Sequence, residues 1–336
     1  MSSIAVAILN WNGLHHLKEF LPSVVINSAE ANIYLIDNGS TDNAVEWVKQ
    51  TYPVVSIVAL DANYGFCEGY NKGLSSLSEE FFILLNSDVE VTAGWLIPLQ
   101  QLLTSNANIA ACQPKLLDYK NKTAFEYAGG AGGFIDYLGV PFCKGRILQS
   151  LEEDKGQYNT PMPIHWASGA AIMIRSSLFK QVGGFDSRFF AHMEEIDLCW
   201  RLRIMGFQIY SCPQSIVYHL GGGTLNKSNP RKTFLNVRNN LMMLSKNLPA
   251  SKSWRILFQK LLFDGLAGIV FLFQGKWKDT LAIIKGHFAF YTMGKPKKEH
   301  GANESGKMEA YLMHKQYSIV YKYYRSHIKF FQDLPV

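Results

Sequence analysis

Short apolar runs alternate with helix-length amphipathic stretches through the first part of the chain. Apolar runs at residues 4–9, 33–36, 54–59 and 81–85 have the length and composition of buried strands. Between them, residues 14–28, 42–48 and 65–77 carry apolar side chains at helical spacing. Strands and helices in this order predict an α/β fold, with a mostly parallel sheet covered by helices on both faces.

Polar side chains follow each of these strands at its carboxyl end. In chain order they are Asn10 and Asn12, Asp37 and Asn38, Asn63 (with Gly65 two residues later), and Asn86, Ser87 and Asp88. Turns favour such residues in any protein, but parallel sheets also bind their ligands beyond the carboxyl ends of the strands. Polar loops that recur on this one edge therefore indicate a ligand site.

Asp88 and Asp37 each allow two interpretations. Asp88 either ends its strand with a turn or binds Mg²⁺ or Mn²⁺ through its carboxylate oxygens. Asp37 forms a turn with Gly39, accepts hydrogen bonds from a nucleotide base or ribose, or does both. The chain has neither a GxGxxG nor a GxxxxGK[ST] motif, so neither a dinucleotide-binding fold of that type nor a P-loop NTPase is predicted.

Two further candidates lie later in the chain. Glu194 and Glu195 stand at the start of a helix predicted at residues 195–205. The helix dipole favours carboxylates there without any catalysis, and a carboxylate facing a cleft is also what a general base needs. His219 comes directly before three glycines. It is either a metal ligand on a loop that approaches phosphate or a surface histidine at a hinge.

The pattern changes from residue 226 onward. Residues 254–273 are rich in Leu, Ile and Phe, and residues 276–291 form a second apolar stretch with basic flanks. Residues 295–307 are polar and are predicted to form a flexible connector. Residues 308–331, which include several tyrosines, are predicted to form a final helix. The chain thus divides into a domain at residues 1–225 and a helical C-terminal region at residues 226–336.

Charge follows the same division. The 336 residues carry a net charge of +6, but residues 1–225 hold 14 Lys and Arg against 21 Asp and Glu. Residues 226–336 hold 19 Lys and Arg against 6 Asp and Glu. Such a division indicates two regions with different partners. Nucleic acid would explain the basic charge of the second region but not its apolar stretches, so we expect an anionic membrane surface instead.

The five cysteines are scattered and never form a CxxC pair. This spacing predicts neither a disulfide framework nor a zinc cluster, and it is typical of a reducing compartment. The first residues lack a basic segment followed by a cleavable apolar stretch. We therefore expect a cytoplasmic protein.

Taken in order, the motifs resemble family-2 glycosyltransferases of the GT-A fold, and most of all the rhamnosyltransferase-type members that build bacterial surface polysaccharides. The resemblance covers about residues 4–240 and rests on the order and spacing of the motifs. The matching motifs are Asn10-Trp11-Asn12-Gly13, Asp37-Asn38-Gly39-Ser40-Thr41-Asp42, Asn63-Tyr64-Gly65-Phe66, Asn71-Lys72-Gly73, Asn86-Ser87-Asp88, Ser168-Gly169-Ala170, Gly183-Gly184-Phe185-Asp186, Glu194-Glu195-Ile196-Asp197-Leu198, His219 and Arg238-Asn239-Asn240.

The resemblance implies roles for the matching positions. It assigns Asp37 to the nucleotide base, Asp88 to a divalent metal, Mg²⁺ or Mn²⁺, and His219 to the metal or diphosphate. It also implies two larger groups. The donor-binding residues are Asn10, Asn12, Asp37, Asn38, Asn63, Gly65, Asn71, Asn86 and Ser87. The pocket for the acceptor or the donor sugar contains Ser168, Gly169 and Asp197.

The chain departs from the family pattern at two places. Glu195 stands where the family usually has the aspartate that acts as catalytic base. Because Glu is one methylene longer, either Glu195 or Glu194 takes this role. Asn86 replaces the first carboxylate of the family's metal motif, a version familiar in this subgroup.

The expected function is that of an inverting glycosyltransferase. It would move a sugar, rhamnose by resemblance, from a dTDP- or UDP-linked donor to a hydroxyl of a glycan or lipid-linked acceptor in cell-surface polysaccharide synthesis. One alternative is a sugar nucleotidyltransferase, which should carry a Gly-rich basic loop after the first strand. Asn10-Trp11-Asn12-Gly13 is not such a loop. The other alternative is a non-catalytic scaffold, which would more often have lost a site residue.

Three placements are open for the apolar C-terminal region: on a membrane surface, packed as a cap on the sheet, or across a membrane. Gln259, Lys260 and Asp264 interrupt its longest apolar run. A charged side chain at the centre of a span costs about 3 kcal/mol, whereas a helix lying in the interface accommodates it. We expect peripheral association with the inner face of the cell membrane, where a lipid-linked acceptor would be met.

Overall fold

The computed structural model describes residues 3–221, 229–294 and 303–335. The strands are, in chain order, β1 Ile4–Asn10, β2 Asn32–Asp37, β3 Ser56–Ala59, β4 Phe81–Asn86, β5 Val89–Val91, β6 Ile109–Asp118, β7 Gly133–Ile135, β8 Pro141–Cys143, β9 Arg146–Ile147, β10 Ser150–Leu151, β11 Met162–Ile164, β12 Ala171–Arg175 and β13 Gln208–His219. The helices are α1 Leu14–Asn27, α2 Ala44–Thr51, α3 Gly65–Ser75, α4 Leu96–Ser105, α5 Ser176–Gln181, α6 Glu194–Ile204, α7 Pro230–Asn247, α8 Ala250–Phe273, α9 Trp277–Thr292, α10 Glu304–Leu312 and α11 Ile319–Tyr324. Two short 3₁₀ turns lie at Ser187–Phe189 and Phe331–Asp333.

The first four predicted strands form the parallel part of the sheet, in the order β4-β1-β2-β3. Their three ladders are all parallel, and Asn10 lies opposite Asp37 where β1 and β2 end. These strand predictions are confirmed, with one difference. The third strand begins at Ser56 instead of residue 54, because the Val55 N–H bonds back to the Tyr52 carbonyl in a turn.

The rest of the main sheet is mixed, which the apolar runs did not predict. β12 lies antiparallel between β4 and β6. β13 lies parallel to β6 and antiparallel to β5 and β11. Because His219 at the end of β13 lies opposite Val89 of β5, the pairing brings this histidine beside the segment that follows β4.

Helices cover both faces of the sheet, as predicted. Ile4, Val6 and Ile8 of β1 belong to a core that includes buried residues of α1, α2 and α4. Ala5 and Ala7 point to the opposite side, into a core shared with α3, α5 and α6. A small antiparallel sheet in the order β10-β9-β8-β7 adds buried side chains to this second core.

α7 also packs into the second core, through Met242, Met243 and Leu244. The helix lies beyond the boundary predicted at residue 225, and that boundary and the glycines at 222 and 223 lie outside the described residues. The first helix of the C-terminal region is therefore in contact with the sheet layer. The predicted domain division stays a prediction.

α8 and α9 lie antiparallel to each other. Thr280 Oγ1 donates to the Gly268 carbonyl at 2.9 Å, and His287 Nε2 lies 3.1 Å from Asp264 Oδ2. Among the described residues, α8 is the one helix that is long and apolar enough, by length and composition, to cross a membrane. Only 17% of its most apolar 18-residue window is buried, so most of α8 is not packed as a cap on the sheet.

The prediction of one final helix at residues 308–331 is wrong. The chain forms α10 and α11 instead, with a break between them. At the break, the Lys315 N–H donates to the Ile135 carbonyl at 3.1 Å, and the Ile319 N–H donates to Asp136 Oδ2 at 3.0 Å. These bonds to the small sheet take the place of helical bonds. Part of the predicted connector, residues 304–307, belongs to α10, and residues 295–302 lie outside the described residues.

Candidate active site

The carboxyl ends of β1 and β2 carry a hydrogen-bonded group of polar side chains. Asn10 and Asp37 are both buried. Asn10 Nδ2 donates to Ser40 Oγ at 3.1 Å and to Asp37 Oδ1 at 3.4 Å, and Asp37 Oδ2 accepts from the Ser40 N–H at 3.0 Å. In the described part of the chain, Asn10 Oδ1 has no hydrogen-bond partner. The Oδ1 atom is itself buried and faces Gly13, so the group is ordered by its own contacts.

The neighbouring loops extend this polar edge. Asn38 Nδ2 donates to Asn63 Oδ1 at 3.1 Å and to the Gly65 carbonyl at 3.0 Å. On the other side of Asp37, Asn12 is exposed, and its Oδ1 accepts from the Thr41 N–H at 2.7 Å. The structure thus brings together six of the predicted donor-binding residues, namely Asn10, Asn12, Asp37, Asn38, Asn63 and Gly65.

Asp88 and His219 meet just beyond the end of β4. The pairing of β5 with β13 places His219 Nε2 3.2 Å from Asp88 Oδ1, and both side chains are buried. Burial would raise the pKa of Asp88, but the contact with His219 holds it below its ordinary value. Burial would likewise lower the pKa of His219, but Glu126 and Asp88 raise it to about 10.

A divalent cation that takes the place of the His219 proton fits this pair, because a histidine binds a metal only through its neutral ring. Mg²⁺ and its analogues bind proteins through one or two carboxylates together with substrate phosphates, and they seldom occupy a complete protein cage. Within the described ranges, no group of three or more His, Cys, Asp or Glu side chains could hold a metal by itself. Asp88 and His219 therefore provide a partial ligand set, of the kind that a diphosphate completes.

α6 begins with the two predicted acids. Glu194 is buried and Glu195 half-buried, and a Cβ built on Gly169 would lie 3.7 Å from Glu195 Cβ. Burial raises the pKa of Glu195 to about 7, and burial together with Glu195 raises the pKa of Glu194 well above its ordinary value. Of the two, Glu195 is the more accessible, and it exchanges its proton near neutral pH. The pKa of Glu194 is raised as well, by deeper burial and by the neighbouring Glu195.

The structure does not bring Asp197 to the sugar pocket that the resemblance implies. Asp197 is fully buried, and its Oδ2 lies 2.8 Å from Arg201 Nε and 3.0 Å from Lys246 Nζ. Its Oδ1 accepts from Asn247 Nδ2 at 2.7 Å. Because these bonds take up both carboxylate oxygens, Asp197 fastens α6 to α7.

Asn71 and Ser168 are also turned to internal partners. Asn71 bonds to the backbone of Phe185 in both directions, at 2.8 and 2.9 Å, and so joins α3 to the turn before α6. Ser168 is buried, and its Oγ donates to the Ala128 carbonyl at 2.7 Å. Neither side chain lies free on the polar edge. Gly169 is the member of the predicted sugar pocket that lies next to Glu195.

Glu126 and Asn239 belong to the site region, and sequence reasoning gave neither of them a role. Glu126 Oε1 lies 3.3 Å from His219 Nδ1. Asn239 bonds to the loop that precedes α6. No motif surrounds Glu126. Asn239 stands in one of the motifs that carry the resemblance, which was the one available signal.

Comparison with known proteins gives a family and a fold. Residues 5–183 match the family model described as glycosyl transferase family 2. An N-acetylglucosaminyl-diphospho-decaprenol L-rhamnosyltransferase of Mycobacterium tuberculosis is 28% identical over 221 residues, which cover 61% of this chain and 71% of that protein.

Two solved structures share the architecture. GalNAc-T7 with UDP, GalNAc and Mn²⁺ superposes with a TM-score of 0.57 at 18% identity, over 73% of this chain and 48% of that one. This chain thus spans about half of the GalNAc-T7 chain. S. aureus TarS 1–349 with UDP-GlcNAc gives a TM-score of 0.56 at 14% identity, over 86% and 80%. At these identities the likeness shows the fold alone, and it confirms the predicted GT-A fold.

Proposed function

Because this chain belongs to glycosyl transferase family 2, we propose that it is an inverting glycosyltransferase. Its donor is a nucleotide-diphosphate sugar, and its acceptor is a hydroxyl of a glycan or of a lipid-linked sugar in cell-surface polysaccharide synthesis. The rhamnosyltransferase activity for which the M. tuberculosis relative is named supports rhamnose as the sugar and a lipid diphosphate as the acceptor's carrier. UDP and UDP-GlcNAc in the two structural neighbours support a pyrimidine nucleotide, UDP or dTDP.

The observation that carries this proposal is the convergence of Glu195 and Asp88 at the end of β4. The Asn86 N–H donates to the Ala170 carbonyl at 3.0 Å, so the loop before β12 lies beside the end of β4. Gly169 of that loop is next to Glu195, and Asp88 follows Asn86 by two residues. A base with a pKa of about 7 and a carboxylate suited to a metal therefore lie on one sheet edge.

In the proposed reaction, the Glu195 carboxylate accepts the proton of the acceptor hydroxyl. The hydroxyl oxygen attacks the anomeric carbon while the bond from that carbon to the diphosphate oxygen breaks. The diphosphate leaves on the opposite face with the bonding electron pair, which inverts the configuration. The transition state is then similar to the oxocarbenium ion of glycoside hydrolysis.

Asp88 and His219 would hold the divalent cation, Mg²⁺ or Mn²⁺. When bound, such a cation neutralises charge that develops on the leaving diphosphate. The Mn²⁺ in the GalNAc-T7 structure supports this assignment. Ser87 and Asn86 lie next to Asp88, and Asp37 lies further along the same edge to receive the nucleotide base.

The exposed face of α8 and α9 supports association with a membrane surface. Large apolar side chains cover it, with Trp254 72%, Phe273 89% and Phe288 71% exposed. The charged residues that interrupt the apolar run of α8 face inward, because Lys260 Nζ lies 2.7 Å from Asp264 Oδ1 and Asp264 contacts His287 of α9. A helix pair lying in the interface buries such a face while its Lys and Arg meet anionic headgroups.

A panel of nucleotide sugars with Mn²⁺ tests the proposed activity. We expect one donor to be consumed. With a glycan or lipid-linked acceptor present the sugar should be transferred, and without an acceptor the donor should be slowly hydrolysed. NMR of the transfer product should show an inverted anomeric configuration. A retained anomeric configuration would contradict the inverting mechanism. Release of pyrophosphate from a nucleoside triphosphate and a sugar phosphate would indicate a nucleotidyltransferase. A scaffold would consume no donor.

A further inference from the structure

The loop at residues 189–193, which leads into α6, has an unusual backbone. Phe190, His192 and Met193 have φ angles of 63°, 71° and 74°. Residues other than glycine rarely adopt these left-handed backbone angles. Such a conformation persists only when its surroundings hold it. The loop ends directly at Glu194 and Glu195, so its conformation sets where the two acids begin.

One side chain of α7 binds most of this loop. Asn239 is fully buried, and its Nδ2 lies 3.0, 2.7 and 2.7 Å from the carbonyl oxygens of Phe189, Ala191 and His192. Carbonyl oxygens only accept hydrogen bonds, so the amide nitrogen must face them. Asn239 Oδ1 accepts from Arg238 at 2.9 and 2.7 Å, which fixes the same orientation from the other side.

The loop also touches the donor-binding edge. The Phe66 N–H donates to the Phe190 carbonyl at 3.2 Å. A Cβ on Gly65 would lie 2.9 Å from the Phe190 ring, so the loop sits directly on the start of α3. Gly65 in turn accepts from Asn38, the residue after Asp37. The loop thus connects the predicted nucleotide site with the start of α6.

We infer that Asn239 is a positioning residue for Glu195: it holds the loop at residues 189–193 in the strained conformation that places the start of α6 against Gly169. The inference rests on the proposed role of Glu195 as base. It gives α7, which lies outside the domain predicted at residues 1–225, a role in positioning the proposed base.

Asn239→Ala tests this inference against Asn240→Ala as the matched control. Asn240 is the next residue of α7, is also buried, and donates to the Gly139 carbonyl at 2.7 Å, away from the loop. Misplacing a catalytic group by about 1 Å can cost roughly 10²-fold, so we expect kcat of Asn239→Ala to fall by about that factor. The acid limb of the pH–rate profile should move to lower pH as water reaches Glu195.

Hydrogen exchange of the loop gives a readout that needs no activity. The amides of residues 189–196 should exchange faster in Asn239→Ala than in wild type, and should be unchanged in Asn240→Ala. If Asn239→Ala does not fold, Asn239→Ser keeps one donor and should show the same changes to a smaller extent. Wild-type kcat, pH profile and loop exchange in a folded Asn239 variant would overturn the inference.

The role of Glu195 as base and the positioning role of Asn239 can be tested independently. If Glu195→Gln retains wild-type activity, the base has been misassigned, and the exchange experiment still reports whether Asn239 holds the loop. If Glu195→Gln is inactive while the Asn239 variants behave like wild type, only the positioning role is overturned.

Discussion

His219 Nδ1 lies 3.3 Å from Glu126 Oε1, on the side of the ring that does not face Asp88. Glu126 is itself fixed, because its Oε2 accepts from the Ala128 N–H at 2.6 Å. A histidine that binds a metal usually has such a partner on its other nitrogen, which orients the ring.

Glu126→Gln should therefore weaken metal binding. Loss of an orienting partner typically costs about 10–100-fold in metal affinity, and we expect the Mn²⁺ Kd measured by EPR in the presence of nucleotide to rise by that factor. Glu153→Gln, at an exposed position, serves as the control. Equal Mn²⁺ affinities for the two variants would show that Glu126 does not orient His219.

Glu195→Gln and Glu194→Gln should differ sharply. A well-placed general base contributes about 10²–10⁴-fold, so kcat should fall by that factor in Glu195→Gln, while the Kd of the donor stays the same. Glu194 is only 6% exposed and so less able to reach an acceptor hydroxyl than the half-buried Glu195, and it should tolerate the amide far better. The reverse order of activities, measured in single turnovers, would assign the base to Glu194.

The rate should rise with pH through about 7, where Glu195 titrates. Burial raises the pKa of Glu195, so the carboxyl keeps its proton below this pH and accepts none from the acceptor. Above it the carboxylate is free to act as base. The dependence of kcat/KM on pH between 5 and 9 checks this expectation. A flat profile down to pH 5 would mean that no group of this pKa is needed.

Lys246→Met should destabilise the fold. Lys246 Nζ lies 2.8 Å from Asp186 Oδ2 and 3.0 Å from Asp197 Oδ2, and all three side chains are largely buried from solvent. Removing one partner of a buried ion pair costs about 3–5 kcal/mol of stability. Because Arg201 stays beside Asp197, we expect the free energy of unfolding in urea to fall by the lower end of that range. Lys155→Met, at an exposed lysine, should change the unfolding free energy by less than about 0.5 kcal/mol. Similar losses in both variants would argue against the buried network.

The double variant Phe258→Glu, Leu266→Glu should lose binding to anionic liposomes. The two side chains are 55% and 60% exposed on α8. Burying the exposed part of each side chain in lipid is worth about 1–1.5 kcal/mol, so the partition coefficient should fall by roughly 30–100-fold in flotation. Leu312→Glu changes a side chain of α10 that is 62% exposed and should bind like wild type. A wild-type protein that does not float with liposomes at low salt would end the membrane proposal.

The parallel half of the fold was predictable because its signals are local. Each buried strand is a short apolar run, and the polar residues that end it stand next in the chain. The positions of β12 and β13 in the sheet were not predictable in this way, since they depend on which distant strands each of them meets. His219 and Glu126 are likewise far apart in sequence, and only the antiparallel contact of β5 with β13 reveals the surroundings of His219.

Asp197 shows a different limit. It stands two residues after Glu195, and the resemblance places both at the site. On a helix, residues two positions apart point to different faces. With Glu195 next to Gly169, Asp197 therefore points into the protein, toward Lys246 and Asn247 of α7. The motif at residues 194–198 thus combines Glu195, which lies at the candidate site, with Asp197, which lies in the core.

α7 is fastened at both of its sides. Thr233 Oγ1 donates to Asp279 Oδ1 of α9 at 2.6 Å, and Asn239 binds the loop before α6. A bilayer that takes up the face of α8 and α9 would therefore set the tilt of the whole protein and the height of the β4 edge above the lipid. The enzyme would then encounter its lipid-linked acceptor by diffusion within the plane of the membrane. Turnover would follow the surface density of the acceptor instead of its bulk concentration, and added inert lipid would slow the enzyme by dilution within the plane.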